Sequence, residues 1–582
     1  MVAVGVLLAW LSYARYATFH NETFDLAFYA RMAWGMSGGS FWEPIVGAHV
    51  LGVHLSPVVI PFGWLGRLLG TTEVLLVAQA AAVSATAWPL ARMGYRHLGD
   101  LGALMGAGAW LLYPNVGHVA TFEFHPGTMA VLPLAWAIDG LDRKDVGAFG
   151  WAVLGVLCCR EDLALVTALL GVLALRSDAR LRRVGLIVAI GSALYFAIFA
   201  LVLHPIFAPA RGSLELHFGK WGDTPAGAVW GMLSQPADLA RHLAAPERLT
   251  YLPKLLAPLA LLPLLRPRWL LVASPVLAMN LVSEWPDATA LGSHYQTPAL
   301  PMLLAGAIEG AALVARRAAK WQVVAGVLLS VVACHLVAGG TPVAADFDRD
   351  AFRPDARSLH AARAVAAIPP GRSVQAPYAL MPHLAERMTI GAQPPPDRDM
   401  DYVILDAWPR IRYAHDEDLL RTIEEPELRS WLSRADWGLV AEEGPFLVLR
   451  KGAQAREGIA SRYIAGAAEP GRGQRIAACL SVLGAQLQGR GVELTFVARS
   501  ACPNDMAIRI GTGPRPRRVD LLFDGLLGPA HLRRGDLLRS EHALAPEERR
   551  EIERTGLSVG ALRSSGARPE HEDPVVVDVP LG

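Results

Sequence analysis

The sequence predicts a polytopic α-helical membrane protein of about eleven transmembrane helices, followed by an α/β domain and a β-rich, sandwich-like domain. Three observations carry this reading. Of 582 residues, 53% are hydrophobic and 18% charged, an apolar excess beyond that of a soluble enzyme of this size. Apolar segments separated by short polar joints continue to about Ala338 and then stop. Past Gly340 the chain changes to short runs of alternating polarity bounded by Gly and Pro, the pattern of strands and turns. The expected divisions are residues 1–340, 341–451 and 452–582.

The apolar stretch Val2 to Ala14 resembles a signal-peptide core, but it has no preceding basic region and no Ala-x-Ala site, so it reads as an uncleaved first span. The basic joints follow in order: Arg92 with Arg96; Arg143 with Lys144; Arg176 with Arg180, Arg182 and Arg183; Arg266 with Arg268; and Arg316, Arg317 and Lys320. Short loops rich in Lys and Arg stay in the cytoplasm. Joints 18–54, 118–125, 159–162, 205–250 and 283–297 are thereby expected outside. That parity requires the stretch "HLSPVVIPFGWLGRLLG" from His54 to be a re-entrant or interfacial helix, which is tolerated where protein buries its irregular backbone. Segments 146–158 and 163–175 are shorter than the roughly 20 residues a span needs. Their shared tip, "CCREDLAL", is expected below the membrane surface. The count becomes eleven spans in the inner membrane, with the C-terminal domains on the extracytoplasmic side.

In residues 341–451, "RSVQAPYALMPHLAER", "DYVILDAW" and "WGLVAEEGPFLVLRKG" read as strands alternating with helices and ending in a hairpin. In residues 452–582, "VELTFVAR", "MAIRIG", "RRVDLLF" and "PVVVDVPL" read as sandwich strands, with "APEERREIERTG" a surface helix between them. Cys479 and Cys502 flank the first of these strands. An exported domain permits a disulfide there, two free buried thiols are the alternative, and spacing does not choose. The five cysteines show no zinc spacing. With 54 Lys and Arg against 53 Asp and Glu, no bulk field attracts nucleic acid, which is not an expected partner.

The outward joints concentrate ionisable groups: Glu22 and Asp25, His49 and His54, Glu123 and His125, then Arg160, Glu161 and Asp162, and finally Glu284, Asp287, His294 and Tyr295. Charges near a bilayer are costly, so such groups line a polar cavity or pair with one another. Asp25 is the first choice for a catalytic acid or base, with Glu123 and His125 beside it. A helix cap also accounts for Asp25 alone. His54 and His125 lie close to prolines, and a turn hydrogen bond is their plainer role. Arg160 suits a phosphate, because its planar fork matches the oxygens. An intramembrane ion pair with Glu161 or Asp162 is the other explanation. Substrate binding is expected of His54, Arg160, Glu161, Asp162, His294 and Tyr295. No tight metal-ligand spacing is present, so metal ligands are not assigned, though converging carboxylates and imidazoles suit Mg²⁺ or Mn²⁺.

"FDLAFYARMAW", "HLSPVVIPF", "FEFHPGTMAVLPLAW", "REDLAL" and "DYVILD", in this order, resemble the bacterial membrane family called domain of unknown function 2079, over about residues 20 to 450. The layout in turn looks like the type C (GT-C) glycosyltransferases: an acidic first outer loop, a re-entrant helix, many spans and an outward soluble domain. That resemblance implies transfer of a sugar from a polyprenyl-phosphate carrier to an extracytoplasmic glycan, lipid or protein acceptor. Asp25 would match the first-loop acid that acts as base or metal partner. This chain departs from the usual pattern, since Glu22 and Asp25 are separated rather than adjacent and "HLSP" lacks a second proline. A transporter or flippase, and a non-catalytic membrane scaffold, are the rival readings; in the scaffold every ionisable group would pair off.

Overall fold

The computed structural model describes residues 1–406 apart from 22, 208–212 and 393–399, then 436–444, 446–453, most of 463–563, and 576–581. Glu22 therefore lies outside the described residues. The chain forms two compact units: Met1–Pro354 with Met381–Met388, and Asp355–Leu380 with Thr389–Gly582.

The first unit is helical. Its first half contains α1 (Val2–Ala17), α2 (Asp25–Ser37), a small hairpin of β1 (Trp42–Glu43) and β2 (Ala48–His49), α3 (Val59–Leu69), α4 (Thr71–Ala85), α5 (Ala87–Leu98), α6 (Asp100–Leu111), α7 (Pro114–Thr121), α8 (Pro126–Met129) and α9 (Val131–Arg143). Next come α10 (Val146–Leu157), α11 (Ala164–Ala174) and α12 (Ala179–Ile198). Short helices α13 (His204–Phe207), α14 (Ser213–Phe218), α15 (Pro225–Ser234), α16 (Pro236–Leu243), α17 (Pro246–Leu249) and α18 (Tyr251–Leu256) lead to α19 (Pro267–Val282), α20 (Leu300–Val314) and α21 (Lys320–Ala338).

Among the described residues, four stretches are long and apolar enough to cross a bilayer: Thr71–Leu98, Ala179–Phe207, Thr297–Val314 and Lys320–Ala338. Helices α1, α3, α10 and α19 are apolar but shorter. A polytopic helical membrane unit is thus present, while the number of crossings is not fixed by helix length. The reason is geometric: α10 and α11, of 12 and 11 residues, reach only about 18 and 16 Å at 1.5 Å per residue, short of a hydrocarbon core of about 30 Å. Conversely, Thr71–Leu98 runs on as one 28-residue helix through Pro89, carrying Arg92 and Arg96 within it, and stops at Gly99 with its φ of 73°. After that turn α5 and α6 pack so closely that a Cβ on Gly94 would lie 2.0 Å from the Gly102 carbonyl oxygen. The core is contiguous; Trp110, fully buried, donates its indole N–H to Val83 O at 2.7 Å.

Residues Met381–Met388 belong to this unit. The Thr71 amide donates to Glu386 Oε1 at 2.7 Å, and the His383 ring stacks on Tyr16 and Phe19, each at 4.0 Å between centroids.

In the second unit, α22 (Ala356–Ala366) precedes a mixed sheet of order β4-β3-β5-β7-β6, formed by β3 (Val374–Ala376), β4 (Ile390–Ala392), β5 (Tyr402–Asp406), β6 (Trp437–Glu443) and β7 (Phe446–Lys451). Strand β3 pairs in parallel with both neighbours, and β6–β7 is an antiparallel hairpin. Two antiparallel sheets follow. One has the order β8-β14-β11-β10-β9, from β8 (Tyr463–Ile464), β9 (Gln474–Ala477), β10 (Leu480–Gln488), β11 (Gly491–Ala498) and β14 (Leu537–Ala543); the other has β13-β12-β15-β16, from β12 (Met506–Gly511), β13 (Arg518–Leu521), β15 (Leu557–Arg563) and β16 (Val576–Val579). Helix α23 (Pro546–Thr555) precedes β15. Leu494 and Phe496 of one sheet, Ile508 and Val559 of the other, and Val403 and Leu447 of the mixed sheet bury into one core. Cys479 and Cys502 are joined in a disulfide across 23 positions, which resolves the alternative that the spacing left open.

Candidate functional site

The cluster begins at the N-terminus of α2. The first amides of a helix lack intrahelical partners; here the Thr23 hydroxyl accepts the Asp25 N–H at 3.2 Å, and the N-cap residue Phe24 offers no side-chain acceptor. Glu123, from the loop between α7 and α8, supplies the next acceptors: its Oε1 takes the Thr23 N–H at 2.7 Å and its Oε2 the Leu26 N–H at 2.9 Å. Glu123 is 2% exposed. Its oxygens face backbone, whereas the Asp25 side chain retains 28% exposure.

The Thr23 hydroxyl joins the two acids. It lies 2.6 Å from Glu123 Oε2 and 2.9 Å from Asp25 Oδ2. A hydroxyl has one proton to donate, so both contacts are hydrogen bonds only when one carboxyl carries a proton of its own. Burial, the Asp25 charge in second place, raises the Glu123 pKa against the hydrogen bonds that it accepts. Burial also pushes Asp25 up, but the hydrogen bond and charge of His125, with help from Thr23, bring it below the ordinary carboxylate value. Of the two acids Glu123 is therefore the one that takes a proton more readily and Asp25 the one that keeps its charge to lower pH.

Gln79, a fully buried residue of α4, fixes the loop that presents His125. Its amide donates to Val119 O at 2.9 Å and Glu123 O at 3.1 Å, and its carbonyl accepts the His125 N–H at 2.8 Å. Pro126 then opens α8. The His125 Nδ1 lies 3.0 Å from the Glu123 carbonyl oxygen. A carbonyl only accepts, so Nδ1 carries the hydrogen and Nε2 is the nitrogen that faces Asp25 Oδ2 at 3.4 Å.

An imidazole–phenol row extends from there. His294 stacks on His125 at 3.6 Å and on Tyr295 at 4.1 Å. The Tyr295 hydroxyl lies 3.4 Å from His217 Nε2, and His217 Nδ1 lies 2.8 Å from Ser283 Oγ. Burial, with the nearby positive charge of Arg160, lowers His217 to about 4. Burial and then His125 and Arg160 lower His294 well below its usual value. Both rings are neutral at pH 7.

Glu161 repeats the behaviour of Glu123 on the other flank. Its Oε1 meets His54 Nδ1 at 3.0 Å and its Oε2 takes the Leu55 N–H at 2.9 Å, so it anchors the chain entering α3. Tyr29 of α2 stands between the flanks, 6.3 Å from the His54 ring and 5.9 Å from that of His125. Arg160 sits 3.0 Å by its Nε from Asp162 Oδ1, but the alignment makes no hydrogen bond. Its side chain remains 24% exposed, and among the described residues its guanidinium makes no hydrogen bond. Gly127 and Pro298 leave room beside it: a Cβ on Gly127 would stand 3.7 Å from Arg160 Nη1.

All nine residues singled out from the sequence therefore lie in one neighbourhood: Asp25, Glu123, His125 and His294 with Tyr295 on one side, His54, Glu161, Arg160 and Asp162 on the other. Thr23, Gln79 and His217 complete it and were not anticipated. Gln79 left a signal, a polar side chain in the middle of an apolar helix. Of the other outward residues, His49 accepts from the Leu51 N–H and Glu284 from the Lys220 N–H, both local tethers.

The family described as predicted membrane protein (DUF2079) matches residues 15–443, a stretch that includes every residue of this cluster. No curated protein matches the chain. Two crystal structures of ArnT from Cupriavidus metallidurans, one bound to undecaprenyl phosphate and one in the apo state, align at 12% identity and a TM-score of 0.40, covering 77% of this chain and 96% of theirs. Likeness of that degree assigns no activity.

Proposed function

We propose, for a chain that belongs to the DUF2079 family of predicted membrane proteins, the activity of an inverting membrane glycosyltransferase that moves a sugar from a polyprenyl-phosphate carrier to an extracytoplasmic acceptor. One observation carries the reading: a partly exposed Asp25, joined to Glu123 through the Thr23 hydroxyl, shares its neighbourhood with a partly exposed Arg160 that is ion-paired with Asp162 but whose guanidinium makes no hydrogen bond among the described residues. In the proposed step the acceptor hydroxyl attacks the anomeric carbon while Asp25 takes its proton, a role worth about 10²- to 10⁴-fold. The bond from that carbon to the carrier phosphate breaks, and the electron pair leaves with the phosphate. Arg160 meets the charge that develops there. Glu123 and Glu161 are positioning residues, since their oxygens are spent on the backbone of residues 23–26 and on His54 with Leu55. His54, Asp162, His294 and Tyr295 line the approach.

A divalent cation finds little support in this cluster. The described group of three His and carboxylate ligand atoms within 4.8 Å of one another is His97, Asp142 and Glu309, outside it, and Asp25 is engaged with Thr23 and His125. No step is routed through a metal. In a purely structural scaffold the ionisable groups would pair off, and His125 with Asp25, Arg160 with Asp162 and His54 with Glu161 do so here; what favours the transferase reading over it is the exposure that the Asp25 and Arg160 side chains retain, 28% and 24%.

The test is release of polyprenyl phosphate from a panel of polyprenyl-phosphate sugars by the full chain in nanodiscs. Asp25→Asn is expected to lower turnover at least 100-fold with carrier binding retained, and Arg160→Ala to weaken both. Full turnover in both variants would refute the assignment.

A further inference from the structure

Helices α9, α11, α19 and α20 each run away from the cluster just described. They start or end within a few residues of His125, Asp162, Ser283 and Tyr295, and at their other ends bring together a cavity of about 280 Å³ lined by Asp142, Lys144, Arg176, Ser177, Arg268 and Glu309, with Leu173 and Trp269 as apolar walls. Along the helical stretch Thr297–Val314 that contains α20, Thr297 and Glu309 are separated by about 18 Å at 1.5 Å per residue, so this cavity is a separate place from the candidate active site.

Its charges are unevenly matched. Asp142 is taken by Arg96 at 2.7 Å and His97 at 3.0 Å, and Glu309 by Arg268 and, at 3.6 Å, by Arg266. Asp139 is ringed by Arg92, Arg96 and Arg143. With its acids occupied by arginines, the cavity still has Lys144 and Arg176, neither of which makes a side-chain hydrogen bond or ion pair among the described residues. The surplus is positive. That excess argues against a cation on His97, Asp142 and Glu309, although their ligand atoms are close enough for one, and favours an anion.

Lys144 adds an independent sign. It ends α9 with a φ of 58°, in the left-handed region, where glycine is the usual residue and a side chain costs about 1 kcal/mol. Lysine occupies this strained position and is one of the residues that line the cavity. The surroundings indicate the source of the anion. Val172, next to the lining residue Leu173, and Leu271, one helical turn from Arg268, are exposed large apolar residues on a membrane protein, as acyl chains beside a bound head group require.

We infer that this cavity binds the phosphate head group of an anionic phospholipid through Lys144 and Arg176. A volume of about 280 Å³, just under the roughly 300–1,000 Å³ typical of ligand sites, suits a head group rather than a nucleotide. Each basic side chain near such a phosphate is worth roughly fivefold in binding.

Native mass spectrometry of the full chain, stripped of lipid in detergent and offered equal phosphatidylglycerol and phosphatidylcholine, tests the inference. Wild type should retain phosphatidylglycerol selectively; Lys144→Gly, which relieves the backbone while removing the charge, and Arg176→Ala should each cut that preference about fivefold. Lys144→Arg should keep it. Absence of preference in wild type, or a preference untouched in both variants, would overturn the inference. A parallel arm with inorganic phosphate separates the sources: retention of phosphate with no lipid preference would assign the site to a soluble anion and overturn the lipid. None of these residues touches the Asp25 cluster, so failure here leaves the transferase proposal standing, and the converse.

Discussion

Glu123→Gln is the most informative single change at the site, because the amide copies the neutral carboxyl in size and charge but not in accepting capacity. Glu123 accepts two backbone amides, from Thr23 at 2.7 Å and Leu26 at 2.9 Å, on different oxygens. In the variant one of those positions becomes an –NH₂ group, so one N–H at the start of α2 faces a donor. Leaving a buried donor unsatisfied costs about 1–3 kcal/mol. The expected result is a loss of that size in the unfolding free energy of the protein in nanodiscs. The change also tests the shared proton directly. Wild type should show the infrared carbonyl stretch of a protonated, buried carboxyl at pH 7, and Glu123→Gln should lack it. The sign of the pH response follows: a raised folded pKa means that the contribution of Glu123 is complete below the unfolded value and is lost as pH rises through the folded one. Wild-type stability should therefore carry a decline with rising pH that Glu123→Gln removes. A variant within 0.5 kcal/mol of wild type with an unchanged carbonyl band would refute the one-proton argument.

Gln79→Leu should destabilise the first unit by about 2 kcal/mol or more, because it strips partners from the Val119 and Glu123 carbonyls and the His125 amide; thermal unfolding in nanodiscs checks this, and a neutral result would show that the loop is held otherwise. His217, lowered to about 4 by burial first of all, contributes stability that is complete above its unfolded pKa near 6.5 and lost as pH falls towards 4. His217→Phe should flatten that acid limb, and an unchanged limb would place the titration elsewhere. Replacing both Cys479 and Cys502 by Ser should cost about 3 kcal/mol, from the loop closed by a bond spanning 23 positions. Urea unfolding of the variant followed by strand-domain fluorescence reads it, and loss of less than 1 kcal/mol would show that the sheets hold that loop without the bond.

The site was legible in sequence where ionisable residues interrupted apolar surroundings, since burying a charge is expensive enough to mark its position. Asp25, His54, His125 and Arg160 announced themselves in that way. Thr23 did not, because a threonine in a polar joint has no cost attached, and His217 was diluted in the long 205–250 joint. Helix boundaries escaped for a related reason. Apolar composition records which segments avoid water but not where a turn cuts them, so α10 and α11 are legible as short while α4 and α5 fuse into one helix through Arg92. Roles were harder to read than positions. Residue type cannot distinguish an acid that meets substrate from one that meets backbone; orientation does. Glu123 and Glu161, on separate loops, each direct both oxygens at the amides or imidazole of a neighbouring segment, while Asp25 and Asp162, one methylene shorter, keep part of their surface open. The longer acid reaches across to hold a loop and the shorter one stays on its own turn. This division of labour accounts for two carboxylates per flank and is why the proposed transfer assigns proton removal to Asp25, the acid of its flank with part of its side chain exposed.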